Sequence, residues 1–304
     1  MQTFAHEMLR EIYEQPEAIR RTLDLYLAHD FLKPEVAKLL AAWSIPEGEI
    51  LIAASGSSRH SGLAAEILLE DLCGLAVDVE YASEYSTRGN DDKQGIRHPS
   101  VLVLSQSGET SDTLAALREA SLRGQRTLAI TNAAGSSMER EADVSMPLAA
   151  GRERAIPATK SFTGQLTVLY LLALYEGARL GRLNADELMH HIEAIRALPT
   201  AIEEQLDGWR AQMAALANKY NAASTFLYLG RGIHYAIARV GDGDDFGALR
   251  FHIPQQLQGL FIAQHGTAEG GIDGGQHDQG HLVADERVGP MFQLSGGVAL
   301  GVDI

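Results

Sequence analysis

Apolar runs alternate with helical patterns between Glu49 and Leu180, and this alternation constrains the fold more than any other feature. Each run has the length and the β-branched composition of a buried strand, and most are followed by the apolar spacing of an amphipathic helix. Strands that alternate with helices form a parallel sheet covered on both faces. The sequence therefore predicts an α/β fold with three αβα layers. The predicted strands are Glu49–Ser55, Leu75–Tyr81, Val101–Ser105, Thr127–Thr131 and Val144–Pro147.

Helical patterns also flank this region on both sides. Residues 5–42 are predicted to form three helices, with Pro16 and Pro34 opening the second and third. Residues 86–98 are predicted to be a polar loop. After Gly181 two further helices are predicted, and the segment Thr225–Ala238 then repeats the order of strand, glycine loop and helix start. The predicted helices after the first strand are Arg59–Leu72, Thr110–Leu122, Ser137–Glu141, Lys160–Leu180, Ala185–Ala197 and Ala201–Lys219.

Two hydroxyl-rich loops follow predicted strands. The first loop, Ser55–Ser58, reads S-G-S-S, and the second loop, Ser105–Thr110, opens the stretch S-Q-S-G-E-T-S-D-T. In parallel sheets, ligands bind beyond the carboxyl ends of the strands, near the point where the strand order reverses. Each loop precedes a helix, whose N-terminus offers unpaired N–H groups to an anion. The two loops together predict a phosphate site. The alternative for the second loop is an ordinary turn whose hydroxyls only cap the helix that follows.

Composition argues against nucleic-acid binding, membrane association and a disulfide-stabilised fold. The chain has 304 residues, of which 45% are hydrophobic and 21% charged, as in a soluble globular protein. Its formal charge of −15 argues against nucleic acid or anionic membranes as partners. The single cysteine, Cys73, allows no internal disulfide and fits a reducing compartment. No apolar stretch reaches about 18 residues and the charged start is no signal peptide, so a cytoplasmic protein is expected.

Five motifs occur in a recognisable order, and together they indicate a family. The series resembles the isomerase part of the glutamine–fructose-6-phosphate aminotransferase family, which consists of two sugar-isomerase (SIS) domains in tandem. The resemblance covers about Met8 to Ala238. It implies a five-stranded parallel sheet in each SIS domain, a homodimer, a hexose 6-phosphate or amino-sugar phosphate as ligand, and no cofactor or metal. The motifs are Met8–Pro16, Ala54–Ser58, Ala82–Tyr85, Ser105–Thr113 and Ala150–Thr163.

The resemblance also assigns a ligand site. The family's usual Cys-Gly-Thr-Ser is replaced here by the first loop, and the family's phosphate-binding hydroxyls fall on both loops. A serine of the Ala150–Thr163 motif is replaced by Ala158, so one sugar contact is expected to be missing. The sequence identifies no catalytic residue. The expected sugar-phosphate-binding residues are Ser55, Gly56, Ser57, Ser58, Ser105, Gln106, Ser107 and Thr110.

Two departures from the family affect the expected chemistry. No cysteine precedes Cys73, so the glutaminase domain of the family, with its N-terminal cysteine, is not expected here. After Arg239 the family's Glu-, Lys- and His-bearing segments are replaced by a tail, in which the 64 residues from Gly241 to Ile304 contain no lysine and 14 of the chain's 30 glycines. Two alternatives would explain this tail: a frame change or rearrangement near Arg239, or a diverged second domain. The expected units are an N-terminal helical segment (1–45), a first SIS domain (46–183), a linker with the start of an incomplete or aberrant second SIS domain (184–239), and a poorly ordered tail (240–304).

Two function classes remain open. The first is isomerase, aminotransferase or deaminase chemistry on hexose 6-phosphates of the fructose 6-phosphate and glucosamine 6-phosphate class, with a base that comes from a residue such as Glu153 or from a partner subunit. The second is a non-catalytic SIS module, or a damaged enzyme, that keeps only the ligand site. Lys160 either faces the sugar or starts a helix, and the structural role is the expectation. His277 and His281 have the spacing of metal ligands on a helix, but the glycines around them argue against that.

Overall fold

The structure is a computed structural model that describes residues 4–29, 31–43, 49–87, 100–222 and 225–242, together with two short strands at 292–293 and 299–303. Contacts divide the chain into two units, Met1–Asp207 and Gly208–Ile304. The domain boundaries expected after residues 45, 183 and 239 stay predictions. The tail expected to be poorly ordered lies almost entirely outside the described residues.

The elements of the first unit follow the predicted alternation closely. Pro16 lies in the first turn of the second helix, and the third helix begins at Pro34, as predicted. In chain order the elements are α1 (Glu7–Tyr13), α2 (Gln15–Tyr26), α3 (Pro34–Trp43), β1 (Glu49–Ala54), α4 (Ser57–Cys73), β2 (Ala76–Tyr81), α5 (Ala82–Thr87), β3 (Ser100–Ser105), α6 (Ser111–Leu122), β4 (Thr127–Thr131), α7 (Ser137–Glu141), β5 (Val144–Pro147), α8 (Lys160–Arg179) and α9 (Ala185–Lys219), which continues into the second unit.

The five strands form one parallel sheet in the order β2-β1-β3-β4-β5. Consecutive strands β1 and β2 are neighbours, but the chain then crosses back over β1 to place β3 on its other side. The strand order therefore reverses at β1 and β3, which pair with Ala54 opposite Leu104 at their carboxyl ends. The predicted α/β fold with a five-stranded parallel sheet is confirmed.

Alternate strand residues pack into two separate cores, one on each face of the sheet. Ile52, Leu102 and Leu104 belong to the core that contains α2, α3, α4, α8 and part of α9. Ala53 and Val103 belong to the smaller core that contains α5, α6 and α7. Because both faces are covered, the central strand β3 is buried along its whole length. The result is the three-layer αβα arrangement that the sequence predicts.

Two local predictions differ from the structure. The break predicted between Ala197 and Ala201 is absent, and α9 runs through Pro199 without interruption. Proline removes one backbone hydrogen bond, but the buried side chains of Ile192, Ile195 and Leu206 on either side favour a continuous helix. The predicted polar loop begins at Ser86, but Ser86 lies within α5. This helix of about one and a half turns follows β2 directly and was not predicted.

The second unit contains the strand and helix that the internal repeat predicted. These are β6 (Thr225–Leu229) and α10 (Ile233–Asp242). Strand β6 pairs antiparallel with β8 (Ala299–Asp303), which also pairs with β7 (Phe292–Gln293). The rest of the predicted second SIS domain lies outside the described residues.

Candidate functional site

The two hydroxyl-rich loops lie side by side, because each follows one of the two strands at which the strand order reverses. The first loop follows β1 and the second follows β3, and these strands are hydrogen-bonded neighbours. The crossovers from β1 and β3 leave toward opposite edges of the sheet, which opens a crevice between the two loops. The sequence placed both loops at strand ends, and the strand order now makes them neighbours.

The first loop turns sharply into α4. Gly56 has a φ of 58° and a ψ of −142°, a conformation that a residue with a Cβ adopts only with strain. This turn lets α4 begin at Ser57, and no side chain caps the helix N-terminus. The first N–H groups of a 17-residue helix therefore lie beside the Ser57 hydroxyl with no side-chain acceptor among the described residues. Such an end suits an anion.

The second residue of α4, Ser58, is held from another helix. Its hydroxyl oxygen accepts a hydrogen bond from Gln165 Nε2 at 2.9 Å. Gln165 Oε1 in turn accepts from the Ser61 hydroxyl at 2.8 Å. All three side chains are buried. The first turn of α4 is thereby tied to α8, a contact across more than a hundred residues of sequence.

The second loop is organised by its own side chains. Ser105 Oγ lies 2.8 Å from Thr110 Oγ1 and accepts the Gly108 N–H at 3.1 Å, so it closes the loop from inside. Ser107 Oγ accepts the Glu109 N–H at 3.2 Å. Thr110 precedes α6 but does not cap it with its side chain. The N-terminus of α6 therefore also opens toward the loop.

Gly108 allows the second loop to pack against the β4–α7 connection. Its φ is +64°, and a Cβ there would lie 2.2 Å from Ser136 Oγ and 2.7 Å from Thr131 Oγ1. The Gly108 carbonyl accepts the Met138 N–H at 3.1 Å. Glycine is needed at this position for both its backbone conformation and the absence of a side chain.

Glu109 completes this attachment. Its carboxylate accepts the Ser137 N–H at 2.8 Å, at the start of α7. Hydrogen bonds from the Ser137 backbone and then from its side chain, followed by the nearby charge of Arg140, hold the pKa of Glu109 below its usual value. Glu109 lies two residues before α6, but the helix whose N–H it accepts is α7.

The eight expected ligand residues thus occur on two adjoining loops. Their role as phosphate contacts stays a prediction. Ser58 and Ser105 are buried, and the others are half-buried, as a crevice lining requires. Sequence reasoning missed Gln165, Thr131 and Ser136, which support the loops from behind. Only Ser136 had a local signal, since it is the serine that caps α7.

Two other candidates are occupied by structural contacts. Lys160 is 2% exposed, and its ammonium donates to Glu14 Oε2 at 2.6 Å and to the Arg152 carbonyl at 2.7 Å. Burial would raise the pKa of Glu14, but Lys160 and then Arg10 lower it overall. Glu153 accepts the Thr159 N–H at 2.9 Å and the Ser161 hydroxyl, so both of its oxygens hold the loop before α8.

A charged cleft of about 550 Å³ lies beside α1 and α2, not at the two loops. Arg10 pairs there with Glu7 and Glu14, and Lys160 pairs with Glu14. The full lining carries five basic and three acidic side chains and includes no residue of either loop, whereas ligands of parallel sheets bind where the strand order reverses, which is between the two loops. The lining residues are Glu7, Arg10, Glu14, Glu17, Arg21, Gly151, Arg152, Arg154 and Lys160.

Within the described ranges, no group of three or more His, Cys, Asp or Glu side chains is arranged to hold a metal ion. The pair His277 and His281 lies outside those ranges. Of the helices in the described part of the chain, none is long and apolar enough to cross a bilayer.

Comparisons with known proteins point to one family. The SIS domain model matches residues 45–175. Glutamine–fructose-6-phosphate aminotransferase (isomerizing) of Clostridium tetani is 38% identical over 241 residues, which cover 78% of this chain and 39% of that protein. The protein of the same name from Photorhabdus laumondii is 42% identical over 245 residues, with the same 78% and 39% coverage.

A solved structure agrees with the sequence matches. The C-terminal domain of glucosamine-fructose-6-phosphate aminotransferase from Francisella tularensis superposes with a TM-score of 0.71 at 29% identity, over 79% of this chain and 66% of that one. The chain spans 39% of the length of the first curated relatives that it matches. The chain therefore contains a SIS domain at residues 45–175 and is homologous to the isomerase part of glutamine–fructose-6-phosphate aminotransferases.

Proposed function

We propose that the first SIS domain binds a hexose 6-phosphate, with the phosphate between the first and second loops. The observation that carries this proposal is the meeting of two uncapped helix N-termini, those of α4 and α6, at the reversal of strand order. Serine and threonine hydroxyls surround both ends. Helix N-termini and hydroxyls together supply several donors to one anion.

The donors proposed for the phosphate are neutral, and this matters in a chain with a formal charge of −15. A phosphate ester approaches against the net field of the protein, so short-range hydrogen bonds must supply the affinity. Charge-assisted bonds from N–H and O–H groups to phosphate are about twice as strong as neutral ones. The proposed site therefore recognises the phosphate by direct contact, with little long-range attraction.

For the reaction we propose isomerase-type chemistry at C1 and C2 of the sugar, accompanied by amination or deamination at C2. The names of the relatives support fructose 6-phosphate and glucosamine 6-phosphate as the substrate class. Such a reaction needs a base that carries a proton between adjacent carbons. We also propose a homodimer in the cytoplasm, as the family resemblance implies.

One observation favours the non-catalytic alternative, in which the domain only binds the sugar phosphate. Glu153, the base suggested by the sequence, has both oxygens engaged by Thr159 and Ser161. Lys160 is buried in its pair with Glu14. Both side chains are therefore already engaged in contacts that hold the loop before α8.

Ligand binding and turnover measured on the same protein separate these functions. Thermal unfolding is followed with fructose 6-phosphate, glucosamine 6-phosphate, inorganic phosphate and unphosphorylated fructose, each at millimolar concentration. A ligand present at 100 times its Kd stabilises the folded state by about 2.7 kcal/mol, so the two hexose 6-phosphates are expected to raise the Tm and fructose is not.

Turnover is then assayed with fructose 6-phosphate plus ammonia, and separately with glucosamine 6-phosphate. Product formation supports the enzymatic function. Stabilisation without product rejects it and leaves the binding module. If no hexose 6-phosphate stabilises the protein at millimolar concentration, both proposals are wrong.

A further inference from the structure

Gln165 is a buried residue of α8 that touches the first loop from behind. Only 1% of its surface is exposed, and its two hydrogen-bonding partners, Ser58 and Ser61, are 7% and 0% exposed. Its Nε2 donates to Ser58 Oγ at 2.9 Å, and its Oε1 accepts from Ser61 Oγ at 2.8 Å. The Ser61 hydroxyl has a second acceptor, the Ser58 carbonyl, at 2.7 Å.

These contacts fix the direction of one proton. A serine hydroxyl carries one donor proton and accepts through its lone pairs. Because Ser58 Oγ accepts from the Gln165 amide, the Ser58 proton points away from α8. Ser61 carries one proton between two acceptors, Gln165 Oε1 and the Ser58 carbonyl, and when it donates to Oε1 it holds the amide in this orientation. A carboxamide is suited to this task because it presents a donor and an acceptor side by side.

We propose that Gln165 is a positioning residue for phosphate binding: it keeps the Ser58 hydroxyl proton directed toward an anion in the first loop. The inference rests on the proposed function, since it requires a phosphate ester between the two loops. Gln165 acts through Ser58 and is not expected to touch the ligand. A hydroxyl turned the other way would present lone pairs to the phosphate and repel it.

The Gln165→Glu variant tests the direction of the proton. An ionised carboxylate only accepts hydrogen bonds, so it would draw the Ser58 proton toward α8. A protonated carboxyl offers one donor and one acceptor, as the amide does. Burial favours the protonated form, so lowering the pH should restore the original arrangement. The phosphate ester, whose second pKa is about 6, loses charge over the same range, so wild-type affinity should not rise.

The affinity for fructose 6-phosphate is measured by calorimetry at pH 7.5 and 5.5. We expect Gln165→Glu to bind about 30-fold more weakly than wild type at pH 7.5 and within about threefold of it at pH 5.5. Gln165→Met, which fills the space without hydrogen bonds, should lose about fivefold at both pH values. Gln125→Glu is the matched control, since Gln125 is a buried glutamine that accepts from Tyr85 and lies before β4, at the amino ends of the strands and so opposite the two loops.

A double-mutant cycle with Ser58→Ala supplies a second test if Gln165→Glu does not fold. When Ser58 is already alanine, Gln165→Met should change the affinity by less than about twofold, because Gln165 acts through that hydroxyl. Equal losses with and without Ser58 would overturn the proposal.

The remaining outcomes separate the inference from the function on which it rests. If wild type does not bind fructose 6-phosphate, the proposed function fails and the inference fails with it. If wild type binds and neither Gln165→Glu nor Gln165→Met weakens binding at either pH, the inference alone is wrong. If Gln165→Glu and Gln165→Met lose the same factor at both pH values, Gln165 only holds α8 against α4, and the positioning role is rejected.

Discussion

The two loops of the candidate site have similar sequences but are held in place by different means. The first loop depends on a distant helix, because Gln165 of α8 binds the side chain of Ser58. The second loop is closed by its own residues, Ser105, Thr110 and Gly108, and then rests on α7. A hydroxyl-rich loop can thus be organised either by the packing of the whole domain or by a local network. The two loops should therefore respond differently to substitution.

The largest effect is expected from Gly108→Ala, which attacks the network of the second loop. Alanine at a φ of +64° is strained, and its Cβ would lie 2.2 Å from Ser136 Oγ. Strain and overpacking together should lower the free energy of unfolding by about 2–4 kcal/mol. Displacement of the loop should also weaken fructose 6-phosphate binding by about 100-fold. Urea unfolding and calorimetry measure the two effects.

Gly135→Ala is the matched control for this prediction. Gly135 has a φ of +71° with nothing within 4 Å of the added Cβ, so it isolates the backbone strain. We expect a loss of about 1 kcal/mol in stability and no change in affinity. Equal losses for the two variants would show that packing against Ser136 does not hold the second loop.

A smaller difference is expected between Ser105→Ala and Ser57→Ala. Ser105 accepts the Gly108 N–H and bonds with Thr110, so its loss should lower the free energy of unfolding by about 1–3 kcal/mol as well as weaken binding. Ser57 lies half-buried at the first position of α4. Ser57→Ala should change stability by less than about 0.5 kcal/mol and weaken phosphate binding by about tenfold. If Ser57→Ala costs as much stability as Ser105→Ala, the contrast between the loops is wrong.

The smallest effect concerns pH and again involves only the second loop. The pKa of Glu109 is held below its usual value by the Ser137 N–H. The carboxylate therefore contributes stability above its unfolded pKa, and this contribution is lost as the pH falls through the folded pKa. Between pH 6 and pH 3, wild type should lose slightly more stability than Glu109→Gln, which keeps the acceptor without the charge.

Asp112→Asn, an exposed carboxylate in the first turn of α6, serves as the control for Glu109. If both variants change the pH profile equally, the effect belongs to general surface charge, and the contact between Glu109 and α7 is not its cause.

Strand periodicity and glycine positions were sufficient to predict the sheet and both loops. Helix capping patterns placed α4, α6 and α7 within a few residues. What the sequence could not provide was contact between distant residues: Gln165 reads as one polar position in a helix, and nothing local shows that it faces Ser58. Asp143 shows the same limit, because nothing in the neighbouring sequence indicates that it accepts the N–H and hydroxyl of Thr127, 16 residues away.

The buried carboxylate of Glu11 sets a requirement on how this domain can be shortened. Glu11 lies in α1, is fully buried, and accepts the N–H groups of Arg154 and Ala155 from the loop before α8. A protein truncated to the matched SIS residues would leave both backbone donors without this acceptor. The loop that carries Glu153 would then lose its attachment at one end, so the smallest fragment with a native loop must begin before α1.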